Sequence, residues 1–545
     1  MKNEFFLATI ASILSISLFS CAEAQKPVPE PPDPTPIPHP EPDPEPDPEP
    51  EPDEFEGYEI KNEDAVRPTT GVEPFYIYGI NDFHGAIKED GFQMGLGYLG
   101  SFMKEKTSEQ NSLFIDSGDT WQGSLESNFN RGKLINEVFE NANLSVRTCG
   151  NHDFDWGLEA FENNVKSTAF PNLAANVYDY TWDSKTVGQN QQKQLGKSYA
   201  TYVLDNGLKV GIIGTIGEDQ ITSISTQLVQ NITFTDQNEK IKEVSDFLRT
   251  KKNCDVIIAS THASFDQMNC DAITEVSRVS NKRYVDFVLN AHTHQQENFK
   301  INDVCFAQFG AYGQVIGQAT LYYDFEDNQL IDSFTSVKSY SSSMVKEELS
   351  YKIDDEIKTI IDKYDKDTKD LGSQVLSRNF SGPFYSSEQL PNLMAEAIYE
   401  EAKNEGFTVD FAFTNSARAS HYDTAMNYSD LYSIFPFDNY IPIIKVRGKQ
   451  SCNMLRFRNN IYKADPNISI NYNDTYTVAC IDYVAFHCNS ERDYDNFPGF
   501  EVVDYLKKDG EIYTYRNILK DYLLNNPEKT FNSSYYSFDN PIFSR

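Results

Sequence analysis

Six short apolar runs, each giving way to a polar cluster, constrain the fold of this chain more than any other feature. The runs are FYIYGI (75–80), SLFID (112–116), VRTCG (146–150), VGIIGTI (210–216), DVIIAS (255–260) and VDFVLNA (285–291). Runs of this length, rich in Ile and Val, read as buried strands. Helical patterns such as KLINEVFENAN (133–143) and NEKIKEVSDFLRTKK (238–252) lie between several of them. Strands alternating with helices predict a layered α/β architecture with ligands at the carboxyl ends of the strands.

Those carboxyl ends carry the chemistry. The clusters are NDFHG (81–85), DSGDTWQGS (116–124), GNHDFDWG (150–157), STHASFD (260–266) and NAHTHQQ (290–296). The chain has eight histidines, and five of them fall in these clusters. One His past a strand is ordinary loop chemistry, but five clusters at the same end of the strands of one domain point to a shared site. Carboxylate oxygen and imidazole nitrogen together suit hard or borderline divalent metals. Two such metals about 3.5–4 Å apart need a bridging ligand, and a carboxylate with two oxygens serves.

Charge supports the same reading. With 82 acidic against 47 basic residues the formal net charge is −35, which argues against DNA, RNA or an anionic lipid surface as a partner. An acidic protein that takes an anionic substrate needs compact positive charge, and bound metal supplies it.

The order D-x-H, G-D-x-x-x-G, G-N-H-D-x-D, T-H and A-H-x-H resembles that of the calcineurin-like metallophosphoesterases. The wording NDFHG, DSGDTWQGS and GNHDFDWG, followed by a second domain, is similar to the 5′-nucleotidase branch, over nearly all of residues 72 to 500. The resemblance implies a four-layer β-sandwich flanked by helices, a connecting helix and an α+β substrate-binding domain. It implies a first metal on Asp82, His84 and His294, a bridging Asp119, and a second metal on Asn151, His262 and His292. Zinc, manganese and iron all suit that ligand set. It also implies a dyad in which Asp155 orients His152 over the phosphate. The reaction implied is hydrolysis of a nucleotide phosphate ester, foremost a nucleoside 5′-monophosphate, by water that two metals activate. UDP-sugar hydrolysis, nucleotide diphosphate cleavage and 2′,3′-cyclic phosphodiester cleavage are alternatives within that chemistry. A surface-binding protein without turnover is the alternative outside it.

The expected boundaries are 71–340 for the catalytic domain, 341–372 for a linker helix read from EELSYKIDDEIKTIIDKYDKDTKDLG, and 373–545 for the second domain. In that domain IFPFDNYIPIIKVRG (434–448) matches the family's nucleoside site, with Phe437 as one stacking ring and Asn439 beside it. ACIDYVAF (479–486), read within a strand, supplies Tyr483 as the second ring, and TNSARAS (414–420) supplies Asn415 and Arg418. Two departures stand out. TNSARAS lacks the family's glycines, and HCNSERDYDNF (487–497) replaces Gly-Gly-Asp-Gly, leaving Asp493 or Asp495 as the only stand-ins for its aspartate.

Residues 1–20 read as an export signal, with Lys2 ahead of the apolar run Phe5–Phe19. Leu18-Phe19-Ser20-Cys21 resembles a lipobox that would acylate Cys21, while Ala22-Glu23-Ala24 suits ordinary cleavage. The expectation is a cell-surface lipoprotein, or else a secreted or periplasmic protein. Residues 21–70 are expected to form a disordered tether. Its Pro-rich acidic core (27–53) would reach about 80 Å in polyproline II at roughly 3.1 Å per residue. No CxxC pair is present, and Cys480 with Cys488 is the one disulfide pairing suggested.

Overall fold

The computed structural model describes residues 53–181, 191–225, 228–448, 460–486 and 500–544. The export signal, Cys21, most of the tether, Cys488 and the segment bearing Asp493 and Asp495 lie outside the described residues.

Residues from Gly57 to Ser341 build two mixed sheets. Their principal strands are β1 (Val72–Ile80), β2 (Ser112–Asp116), β3 (Val146–Thr148), β4 (Lys209–Ile216), β5 (Val256–His262), β6 (Phe287–Leu289), β7 (Val304–Phe309) and β8 (Val315–Asp324). In the first sheet β1, β2 and β3 run parallel, with β8 antiparallel on the free side of β1. In the second, β4, β5, β6 and β7 are parallel neighbours in that order.

Alternation along the strands explains the layering. Phe75, Ile77, Leu113, Ile115 and Val146 point from the first sheet into a core shared with Ile212, Val256, Ile258, Phe287 and Leu289 of the second. The alternate residues Tyr78, Ile80 and Phe114 face outward onto the helices Gly95–Thr107, Lys133–Asn141 and Asp355–Gly372. Ile213, Ile257, Ala259 and Val288 meet the helix Gln237–Thr250 on the other side. The result is a helix–sheet–sheet–helix sandwich.

The C-terminal part has its own six-stranded sheet, with Pro442–Arg447, Thr475–Cys480 and Phe411–Thr414 at its centre and the helix Gln389–Asn404 packed on it. Four expectations change. Residues 53–70, expected to belong to a disordered tether, are part of the catalytic domain: Gly57–Ile60 pairs in parallel with Tyr199–Tyr202 at the edge of the second sheet, Lys252 pairs with Asp53 and Glu59, and Arg67 pairs with Asp255. The run read as one linker helix is broken: a π-helical turn covers Met344–Glu348, Ser350 takes a left-handed conformation (φ 54°), and the α-helix starts only after Asp354. Asp354 caps it, accepting from the backbone N–H groups of Glu356 and Ile357. The segment around Tyr483 is not strand throughout, because the strand stops at Cys480 and Asp482–Ala485 turn into a short helix. Cys480 is a buried free thiol rather than half of a disulfide. Among the described residues no helix is long and apolar enough to cross a membrane.

Candidate active site

Because β1 to β3 and β4 to β6 are each parallel sets, their carboxyl ends gather at one edge of the sandwich. Asp82 and His84 follow β1, Asp119 follows β2, Asn151 and His152 follow β3, His262 ends β5, and His292 and His294 follow β6. The two sheets are stitched at that edge: Ser260 Oγ lies 3.0 Å from Ser117 Oγ and 2.7 Å from Thr148 Oγ1. Space there is tight enough to dictate sequence. A Cβ on Gly150 would lie 2.2 Å from Asp119 Oδ1, and one on Gly118 (φ 98°) would lie 2.9 Å from His262 Nδ1.

The side chains converge as two triads. Ligand atoms of Asp82, His84 and His294 lie within 4.8 Å of one another, as do those of Asp119, His262 and His292. Asp119 Oδ2 stands between them, 3.2 Å from His262 Nε2 and 3.8 Å from His84 Nε2. Asn151 Oδ1 is 3.1 Å from His292 Nδ1. Each carboxylate has one oxygen tied and one left over. Asp82 Oδ2 accepts from Asn81 Nδ2 at 2.6 Å and His292 N at 2.9 Å, while Oδ1 is buried without a hydrogen-bond partner. Asp119 Oδ1 accepts from His152 N at 2.8 Å, which leaves Oδ2 facing both triads.

The imidazoles are oriented in the same sense. His84 Nδ1 lies 3.1 Å from Gln122 O and His262 Nδ1 lies 2.9 Å from Ser117 O, so each ring gives its Nδ1–H to a backbone carbonyl and turns Nε2 inward. His84 Nε2 and His294 Nε2 face each other at 3.2 Å, and His262 Nε2 has no hydrogen-bond partner. Buried atoms left unmet and aimed at common points are what a divalent cation would satisfy, so the donor set fits two metals.

Backbone and charge carry the cost of this convergence. Asp82, His84, Asp119, His292 and His294 all sit at φ between 48° and 76°, a region worth roughly 1–3 kcal/mol of strain for a non-glycine residue. Burial pushes His84 down to about 3 and His292 down to about 4. Burial opposes charge on His262 too, but the Asp119 and Asp82 carboxylates outweigh it and lift that ring to about 10. Concentrated negative charge that draws a proton to His262 draws a metal ion equally well.

Beside the triads His152 Nδ1 lies 2.8 Å from Asp155 Oδ2. Burial works against charge on His152, but Asp155 and Asp119 prevail and raise its pKa. Both residues open onto a cavity of about 540 Å³, lined on one side also by Asp119, Asn151, His292 and His294. Its other side is C-terminal: Asn415, Arg418, Phe437, Asn439 and Tyr483. All fourteen site residues suggested by the sequence that fall within the described residues therefore lie in or directly behind one cleft. Phe437 differs from expectation in detail, since its ring stacks on His152 (centroids 5.2 Å, 26° between planes) with the Arg418 guanidinium 4.8 Å away.

Sequence reasoning missed the residues that hold these groups. Arg147, fully buried, pairs with Asp153, donates to Thr120 Oγ1 and Asn172 Oδ1, and lies 3.6 Å over the Trp121 ring. Asp153 in turn accepts from Gly150 N and so anchors the Asn151–Asp155 loop. Arg516 donates to the carbonyls of Phe435 and Phe437 and pairs with Asp438, anchoring the Phe437 loop. An Arg inside an apolar stretch was the available signal. Arg131 and Ser225 also line the cavity and no motif marked them, while Trp156 and Asp482 line it from within GNHDFDWG and ACIDYVAF without having been singled out.

Residues 75–296 match the family model for calcineurin-like phosphoesterases, and residues 373–472 match that for the 5′-nucleotidase C-terminal domain. The Bacillus subtilis endonuclease YhcR is 25% identical over 403 residues, covering 69% of this chain and 32% of that protein. A 5′-nucleotidase of Vibrio cholerae is 22% identical, covering 69% and 73% respectively. The chain thus spans about a third of the first relative's length and about three-quarters of the second's. Among solved structures, a 5′-nucleotidase precursor from Thermus thermophilus shares the fold with a TM-score of 0.67 at 18% identity, over 83% of this chain and 96% of that one. The sulfate thiohydrolase SoxB of Thermus thermophilus shares it too (TM-score 0.60, 14% identity, 83% and 94%), so the fold alone does not name a substrate.

Proposed function

We propose, from the fact that this chain belongs to the two-domain family joining a calcineurin-like phosphoesterase domain to a 5′-nucleotidase C-terminal domain, that it hydrolyses nucleotide phosphate esters, foremost nucleoside 5′-monophosphates. The family is one of hydrolases acting on phosphoester bonds. The observation that carries the reading is the single cavity that joins the triads and the His152–Asp155 pair to Asn415, Arg418, Phe437, Asn439 and Tyr483.

In this reading Asp82, His84 and His294 hold one divalent cation, Asn151, His262 and His292 hold the other, and Asp119 is shared. Bound there, the cations supply Lewis-acid activation of water and neutralise phosphate charge. His152, held through Nδ1 by Asp155, keeps Nε2 as a donor for a phosphoryl or leaving oxygen. Arg418 adds a fixed positive charge at the cavity wall, and the aromatic side chains accommodate the nucleoside by stacking. Arg131, 5.9 Å from the Trp156 ring on the same wall, favours a second reading in which a longer phosphate chain is also accepted.

The apolar run Phe5–Phe19 supports action outside the cytoplasm, and a Listeria monocytogenes relative (21% identical, 69% of this chain, 55% of that protein) is a cell wall protein; anchoring at Cys21 is part of the proposal. The deciding experiment is phosphate release from AMP, ADP, UDP-glucose, 2′,3′-cyclic AMP and p-nitrophenyl phosphate with Zn, Mn or Fe added. Preferred release from AMP supports the proposal. Turnover of cyclic AMP with none of AMP sinks it.

A further inference from the structure

Asp482 begins the helical turn Asp482–Ala485, directly before Tyr483. Its side chain is 3% exposed, yet it lines the cavity. One carboxylate oxygen is tied: Oδ2 accepts from Ser225 Oγ, across the cleft in the N-terminal half, at 3.2 Å. The other, Oδ1, is buried with no hydrogen-bond partner among the described residues. Ile481 occupies the N-cap, and Asp482 N donates to Tyr440 O at 2.9 Å. Burial pushes the Asp482 pKa up to about 7, outweighing the Tyr483 N–H, the Ser225 hydroxyl and the Tyr440 N–H, which favour the charged form of the carboxyl.

A buried acceptor without a donor is costly in a folded protein unless something supplies the donor. The neighbouring wall is made by Phe437, Asn439, Tyr440 and Tyr483, which suits a flat ring or a sugar. An anionic phosphate is repelled from Asp482 and drawn to Arg418 and the triads, which border the same cavity. That polarity points the uncharged end of a substrate at Oδ1.

We infer that Asp482 Oδ1 determines specificity by accepting one hydrogen bond from a neutral N–H or O–H donor on the nucleoside part of the substrate, with Ser225 positioning the carboxyl. The inference rests on the nucleotide reading above. The donor is either an exocyclic base amine or a sugar hydroxyl, and substrate analogues separate the two.

The test compares metal-loaded wild type with Asp482→Ala, Asp482→Asn and Ser225→Ala on AMP, purine riboside 5′-monophosphate, 2′-deoxy- and 3′-deoxy-AMP, and p-nitrophenyl phosphate. Asp482→Ala should raise KM for AMP about tenfold, the effect of losing one buried hydrogen bond, and raise KM for p-nitrophenyl phosphate far less. Asp482→Asn keeps an acceptor and should recover much of the loss. One analogue, the one lacking the donor, should be insensitive to Asp482→Ala: purine riboside monophosphate for a base amine, a deoxy-AMP for a sugar hydroxyl. Equal losses on AMP and p-nitrophenyl phosphate, or no change on either, would overturn the inference. If wild type cleaves p-nitrophenyl phosphate but no nucleotide, the functional reading fails by itself. Calorimetric binding of adenosine then decides on Asp482: a Kd about tenfold weaker in Asp482→Ala upholds it, and unchanged or absent binding overturns it.

Discussion

At the scale of single residues, the site works by dividing the hydrogen-bonding capacity of a few groups. Asp119 gives Oδ1 to His152 N and keeps Oδ2 between the triads. Asp119→Asn keeps the shape and removes the charge, so the variant is expected to bind less than one metal per chain by mass spectrometry; two retained metals would contradict a bridging role. His152 belongs to neither triad, and its Nδ1 is held by Asp155. His152→Ala is therefore expected to lower kcat by about 10²–10⁴-fold, the usual reach of a proton donor, with metal content unchanged. Asp482 gives a prediction in pH. Its folded pKa of about 7 lies above the unfolded carboxyl value, so the native state holds the proton more tightly. Its contribution to stability is full below about pH 4 and is lost as pH rises through about 7. Asp482→Asn should flatten that decline, read from denaturant midpoints at pH 5 and pH 8.

At the scale of elements, the Asn151–Asp155 loop is held from beneath. Asp153 binds Gly150 N and Arg147, and Arg147 reaches Thr120 and Asn172 with Trp121 under its guanidinium. Arg147→Met would leave Asp153 buried and unpaired, so a loss of about 3–5 kcal/mol is expected in denaturant unfolding, with activity falling further than substrate affinity. The strands that carry the site were readable because a buried strand in a parallel sheet is a continuous apolar run, and FYIYGI, SLFID and VGIIGTI are such runs. The turn at Ile481–Asp482 was not readable. TYTVAC continues into IDYVAF without a glycine or proline, and what ends the strand is the pairing of β-residues Ile443–Arg447 with Thr475–Ala479, which goes no further. The linker helix misled for a related reason: helical spacing persists through 349–354, where Asp354 N donates to Ser101 Oγ and diverts the chain.

At the scale of the whole molecule, the cleft joins two halves that touch near Phe437. Gln122 Nε2 and Asn128 Nδ2 both donate to Pro436 O, at 3.0 and 3.1 Å. Asp82, His84 and Asp119 of the first sheet and His262, His292 and His294 of the second would share any metals held at the strand ends, linking the two sheets. Chelation with EDTA is thus expected to abolish phosphate release and lower the melting temperature, by the loss of about 2.7 kcal/mol or more of linked stability for a metal at 100 times its Kd. Readdition of Zn or Mn should restore both, and full activity after chelation would remove the basis for a metal site. The donor chemistry and the strand ends that carry it were legible in the chain alone, because residue type and apolar periodicity are local properties. Tertiary packing settles which oxygen of each carboxylate is left unmet, that Asp482 lines the cavity, and that Arg147 and Arg516 support the loops. Those outcomes depend on contacts between residues such as Ser225 and Asp482, far apart in the chain and brought together only when the two halves pack.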